Sequence, residues 1–393
     1  MMLPNGWKKV KLGDILTAVD YGTAAKSDAI GKYPVLRMGN LENGYLVWDD
    51  LVYSSSEDEY AKYELEKGDI LFNRTNSRDK VGKTSIYRGE RPSIFAGYLI
   101  RLKVNNECDP YYVNYCMNSK RFAEFCKSVR TDAIGQSNIN AQVLQTYDFS
   151  LPPIEEQKKI AATLSVWDSA IEKMEKLIKA KENSFNNLLK ELIYSPAEKE
   201  CWNIVKLGDV SEMSSGGTPK SSVEKYYNGD VLWVSIADMT EQGMYIKDTA
   251  KKLTKLGVEN SAAKIYPKGT VLYAMYASIG EVSIAEKEMA SSQAILGIRV
   301  SNKLVNKYLY YFLVGQKERI KLQGQAGTQS NLNAGMVKNL DIPLPSIKEQ
   351  NRIIAVLDNG MNELSLLKQQ LENYKRQKQG LMQKLLTGQW RVK

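Results

Sequence analysis

The sequence predicts an α+β protein. Two mixed α/β domains are expected, separated by an intramolecular antiparallel coiled coil of two long helices, with an approximate twofold axis relating the halves. Three observations predict it: an internal repeat spanning most of the chain, two segments with unbroken apolar heptads, and clusters of short β-rich runs before each heptad segment.

The repeat is anchored at both ends of each half. WKKVKLGD at 7–14 returns as WNIVKLGD at 202–209, an offset of 195. LPPIEEQ at 151–157 returns as LPSIKEQ at 344–350, and eight of the 14 positions 151–164 are identical to 344–357. Between the anchors only fragments persist, such as Lys67-Gly68 with Lys268-Gly269 and Gln136–Asn138 with Gln329–Asn331. A constant frame around variable content suits a scaffold that presents two different recognition surfaces. The alternative is an old duplication retained for folding alone.

After each Leu-Pro the apolar residues recur at 4-3 spacing. The first set includes Ile160, Leu164, Trp167, Ile171, Ile178 and Leu188, and the second Leu357, Leu364, Leu371, Leu381 and Leu385. A sustained heptad is the pattern of a coiled coil. Proline before the segment and Glu155, Glu156 and Glu349 in its first turn suit a helix N-terminus. A helix over 156–193 is roughly 57 Å long at 1.5 Å per residue, and the linker 194–200 reaches only about 25 Å. The second domain therefore starts near the far end of the first helix, and the second helix runs back along it. Pairing between two copies of the chain is the competing reading of the heptads.

Each domain reads as short strands followed by a helix. In the first, strands are expected at 34–38, 69–72, 84–87 and 98–102, with a helix near 111–128; in the second, at 231–235, 270–273 and 294–298, with a helix near 305–322. The loops between them carry the groups suited to nucleic acid. Asn73–Lys80 mixes Arg74, Arg78 and Lys80 with Asn73 and Asn76; Asp20–Lys26 carries Thr23 and Lys26, and its counterpart Ser214–Ser221 carries Thr218, Lys220 and Ser221. Arginine can bond guanine through two donors, asparagine can do the same with adenine, and lysine meets phosphate. Tyr273 and Tyr276 complete the candidate contact residues.

Composition narrows the chemistry. The chain has 393 residues, net charge +9, four cysteines and no histidine. Without histidine or a Cys-x-x-Cys pair, zinc binding and histidine-based acid–base catalysis are not expected; Cys108, Cys116, Cys126 and Cys201 read as core filler. No apolar run is long enough to span a bilayer, and with no leader-like start the chain is expected in the cytoplasm. A positive balance suits a polyanion. Residues 49–69 hold eight acidic and two basic side chains and 73–103 the reverse, so the first domain is expected to have one anionic and one cationic face. Ser77–Thr84 imitates a phosphate-binding loop but has Ser77 where close backbone approach needs glycine. Gly-x-Gly and Asn/Asp-Pro-Pro-Tyr/Phe, which an adenine methyltransferase would carry, are absent.

Together these features resemble the DNA specificity subunit of type I restriction–modification enzymes. The resemblance rests on the two WxxVKLGD openings, Gly216-Gly217-Thr218-Pro219, the duplicated LPxIxEQ, and the closing QKLLTGQWRV at 383–392, and it spans essentially the whole chain. It implies target-recognition domains over 1–151 and 201–343, a conserved helix with linker over 152–200, and a second conserved helix over 344–393. Each domain would read one half of a split double-stranded DNA target. The helices would set the spacing, with half-sites about one duplex turn, ~34–36 Å, apart. They would also dock the modification subunits. No catalytic residue, metal or cofactor is implied in this chain; S-adenosylmethionine is expected on the modification subunits, and ATP and Mg on a restriction/translocase subunit. Two other classes remain: an adaptor spacing two protein-binding domains, and a nucleotide-using enzyme built on Gly82-Lys83-Thr84.

Overall fold

The computed structural model describes residues 3–133, 135–198, 202–276, 278–324 and 332–392. Cys201 and the fragment 329–331 lie outside the described residues. The chain divides into two compact units, Met1–Met174 with Gln370–Lys393 and Glu175–Gln369. Each takes in one repeat together with parts of both long helices.

In the first unit the opening and closing motifs are hydrogen-bonded to each other: Lys8–Lys11 pairs antiparallel with Asp148–Leu151. Between them lies an antiparallel sheet of Leu16–Tyr21, Leu99–Val104, Ile70–Asn73 and Thr84–Ile86, in that order. Ile70–Asn73 is buried along its whole length, which explains its continuous apolar run rather than an alternating one. A second sheet joins Ile94–Phe95, Tyr33–Leu36 and Val52–Ser54, and a third joins Thr131–Ala133, Gln136–Asn138 and Thr75–Asn76. The helix expected over 111–128 is two helices, Pro110–Cys116 and Lys120–Val129. The break has a local cause. Ser119 accepts the Phe122 N–H and starts a new helix, while Asp109 caps the first with proline next to it.

The second unit repeats this frame. Asn203–Lys206 pairs with Asp341–Leu344, and the sheet runs Ser211–Ser215, Ile295–Val300, Val271–Ala274, Val282–Ala285, extended by Tyr245–Ile246. A four-stranded sheet of Lys251–Leu253, Tyr227–Val234, Met289–Ser291 and Ile265–Tyr266 stands beside it. The helix after the sheet, Asn306–Gly324, is continuous.

The long helices are Ile154–Leu189 and Ile347–Leu386, with π-helical turns at Lys190–Tyr194 following the first. Within the first unit Trp167 meets Tyr374 edge-on, Asp168 pairs with Lys378, and Glu156 with Arg391. Within the second, Lys181 pairs with Glu363, Glu182 with Lys368, and Phe185 fills the space over Gly360. In both, one helix is followed forward as the other is followed back, so the packing is antiparallel and intramolecular. Ile160, Leu164, Ile178, Leu357, Leu364, Leu371 and Leu385 are buried, while Trp167, Ile171, Leu188 and Leu381 are half-buried. The 4-3 spacing therefore coincides with the packed stripe along the full length of both helices.

The repeated glutamine in Leu-Pro-x-Ile-x-Glu-Gln explains why the anchors persist. Gln157 accepts the Asp109 N–H and donates to the carbonyls of Glu107 and Pro152. Gln350 accepts the Val305 N–H and donates to the carbonyls of Lys303 and Pro345. Both are fully buried. Each ties the start of its long helix to the loop that leads into the domain helix, giving partners to the backbone groups there.

Candidate nucleic-acid interface

In each unit two loops leave the same end of the main sheet. In the first, Gly22 donates its N–H to Leu99 and Arg74 donates to Tyr98, so the loops starting at 22 and 74 flank the turn before Leu99. In the second, Gly216 donates to Ile295 and Met275 to Ala294. Gly22 and Gly216 are equivalent, and at either one a Cβ would overlap a neighbouring carbonyl, that of Phe95 or of Ser291. Glycine is required by this close approach. The sequence correspondence between Asp20–Lys26 and Ser214–Ser221 is thus a correspondence in space within each frame.

The candidate residues divide by exposure. Lys26, Arg78, Lys80, Thr218, Lys220 and Ser221 are exposed, and Arg74 and Asn76 half-buried. Tyr276 is 39% exposed. Thr23, Asn73 and Tyr273 are buried and cannot present their side chains to a duplex as the sequence reading expects. Thr23 gives its hydroxyl to Glu59 and accepts the Ala25 N–H, holding its loop together. Asn73 bonds Lys83 and Gly82 through its backbone, closing the base of the Arg74–Gly82 loop. Tyr273 stands mid-strand in the second unit's sheet, where burial pushes its phenol up to about 12.

The structure brings to the first unit's loop a partner the sequence did not single out. Gln136–Asn138 pairs on one side with Thr131–Ala133 and on the other with Thr75–Asn76, and Asp132 bridges Arg78 and Arg130. The Ser137 hydroxyl, with both guanidiniums close by, holds the Asp132 carboxyl below the usual carboxylate range. Tyr21 and Tyr98, at the same rim, are 44% and 55% exposed, and the Arg74 guanidinium stacks on the Tyr21 ring, 4.8 Å from its centroid. The persistent Gln-Ser-Asn fragment marked this strand pair, but its meaning required the strand pairing. Thr218–Ser221 is anchored in the second unit by Trp233, which donates to the Gly217 carbonyl, and by Tyr227, which donates to that of Pro219.

The acidic and basic runs meet at one place, where Arg101 and Lys103 face Glu66 and Asp69. Half of the eight basic side chains of 73–103 have ion-pair partners among the described residues: Arg78 with Asp132, Lys83 with Glu42, Arg101 with Asp20 and Lys103 with Glu66. Among the described residues, Lys26, Arg74, Lys80 and Lys220 have no ion-pair partner.

The phosphate-loop imitation is excluded by its surroundings. Thr84 begins the buried strand Thr84–Ile86 and donates to the Gly82 carbonyl, so no helix N-terminus follows to receive a phosphate. Cys108, Cys116 and Cys126 are buried. Burial pushes their thiols up to about 11, 12 and 12, so none of these three is a thiolate near neutral pH. Among the described residues no cluster of His, Cys, Asp or Glu is placed to hold a metal, and no helix is long and apolar enough to cross a membrane.

Comparison with known proteins agrees with this architecture. The type I restriction modification DNA specificity domain matches twice, over residues 4–182 and 199–375. Among similar proteins from Methanocaldococcus jannaschii, a chain carrying the name MjaX specificity subunit is 28% identical, covering all of this chain and 95% of its own length. The type I restriction enzyme MjaVIII specificity subunit is 24% identical, again covering all of this chain and 95% of its own. The fold is shared with a chain from work on complex assembly and conformational transition of the type I R-M system, at TM-score 0.65 and 17% identity over 99% of this chain and 100% of that one. It is also shared with the type I restriction–modification S subunit from M. genitalium, at TM-score 0.56 and 17% identity over 98% of both. Two copies of one frame, each opening on a differently furnished rim, are thus the two halves of a known arrangement: the chain belongs to the type I restriction–modification DNA specificity family.

Proposed function

We propose that each repeat reads one part of a two-part DNA target through the loop rim at the end of its main sheet, and that the long helices fix the spacing of the two parts. The observation that carries this reading is the equivalence of the two rims. The same backbone bonds launch loops of different sequence from the same frame position. Lys26, Lys80 and Lys220 would meet phosphates, giving affinity without sequence preference, while Arg74, Asn76, Thr218, Ser221 and Tyr276 would approach base edges. The chain would act with modification subunits, which supply S-adenosylmethionine and methylate adenine, and with an ATP- and Mg-dependent restriction/translocase subunit.

Exchanging residues 1–150 for those of a relative and mapping methylated adenines in cells carrying the whole system tests the reading. One half of the methylated sequence changes and the other stays. An unaltered target sequence after the exchange would defeat it.

A further inference from the structure

Arg74 differs from every other cation of the first unit's rim. Arg78 and Arg130 are held by Asp132, and Lys26 and Lys80 are exposed side chains without an ion pair or ring partner among the described residues. Arg74 has no carboxylate partner either, yet it is fixed. Its N–H bonds the Tyr98 carbonyl at 3.2 Å and its carbonyl accepts the Ile139 N–H at 2.9 Å. Its guanidinium lies on the Tyr21 ring, and its Nε is buried with no hydrogen-bond partner. A stacked planar fork costs little further ordering when it binds. Such a fork, held in one orientation, suits an edge that presents two acceptors at fixed spacing, while the mobile lysines beside it are enough for phosphate.

Among the described residues the second unit has nothing like it at the equivalent position. By the same backbone bonds, Met275 stands where Arg74 does, Ala294 where Tyr98 does, and Ser215 where Tyr21 does. Met275 is buried.

Resting on the DNA reading above, we propose that Arg74 is a specificity-determining residue that reads a guanine through O6 and N7 in the part of the target taken by the first repeat, with Tyr21 as the shelf that orients it. The second repeat reads its part with Met275 and Ser215 at the positions that Arg74 and Tyr21 hold in the first.

The test uses the full chain assembled with its modification subunits. Binding is competed against duplexes carrying each of the four base pairs at every position of both half-sites. Arg74→Ala makes one G·C position of the first half-site tolerant, with discrimination there falling about 5- to 150-fold, while the second half-site stays strict. Arg74→Lys relaxes the same position, because an ammonium lacks the planar fork. Tyr21→Leu, which leaves the guanidinium but removes its shelf, relaxes that position less. Uniform weakening on every duplex with a shallower salt dependence assigns Arg74 to phosphate and overturns the proposal, as does unchanged discrimination or loss of all binding by a variant that melts like the parent. If the exchange of 1–150 leaves the target unaltered, the DNA reading itself falls. If the exchange alters the target while Arg74→Ala relaxes nothing, only the Arg74 assignment falls.

Discussion

The two units share a frame and differ in how the long helices are held to it. In the first, a buried polar contact stands beside the Trp167–Tyr374 ring pair: the Asp168 carboxylate receives both Lys378 and the Tyr115 hydroxyl, and Asp168 and Lys378 side chains are only 8% and 18% exposed. Burial and the neighbouring carboxylate push the Tyr115 phenol well above its usual range. In the second, the equivalent tyrosine, Tyr311, bonds Asp358, which also takes Lys307. The helix pair itself is closed by Phe185 lying against Gly360 and Tyr311. Both solutions tie a domain helix to the long helices through a tyrosine. The first buries its charge pair between the helices, whereas the second leaves Lys181–Glu363 and Glu182–Lys368 half-exposed and places an aromatic ring over a glycine. The comparison teaches that the frame constrains where the helices attach, and leaves the chemistry of attachment free.

The largest effect should follow from breaking the polar contact on one side. Lys378→Met strands the Asp168 charge and lowers the stability of the first unit by about 3–5 kcal/mol, read in chemical denaturation. Adding Asp168→Asn, which keeps an acceptor for Tyr115, should recover more than half. A single variant as stable as the parent would mean the pair does not hold this contact. The shared part of the frame is sharpened by Gln157→Ala and Gln350→Ala. Each leaves an N–H and two carbonyls without their partner, and each should cost about 2–3 kcal/mol; a large inequality between them would show that the two anchors are not doing the same job. The smallest effect concerns the rims. Asp132→Ala frees Arg78 and Arg130 in the first unit, where the second has no described equivalent. Binding to unrelated duplex should tighten, and its log–log salt slope should steepen by about 1–2. An unchanged slope would place these arginines away from the phosphates.

Much of this was legible before any coordinates. The repeat, the heptad stripe, the strand runs and the glycine-bearing loops are local or periodic features, and hydrophobic burial enforces such periods wherever an element has one covered face. Ile70–Asn73, Thr84–Ile86 and Ile295–Val300 fall where their apolar runs stand. Three things needed the tertiary structure. Which polar loop residues face water depends on neighbours far away in sequence, so Asn73, Thr23 and Tyr273 looked available but are enclosed. Which acids the basic run meets, Glu42 for Lys83 and Asp20 for Arg101, depends on tertiary packing, a choice that net charge by segment does not contain. The isolation of Arg74 emerged only when Tyr21, Tyr98 and Ile139 were brought to it from three separate stretches of chain. A sequence determines its elements through short-range sterics and burial periodicity; the surroundings of a polar side chain are set by long-range packing.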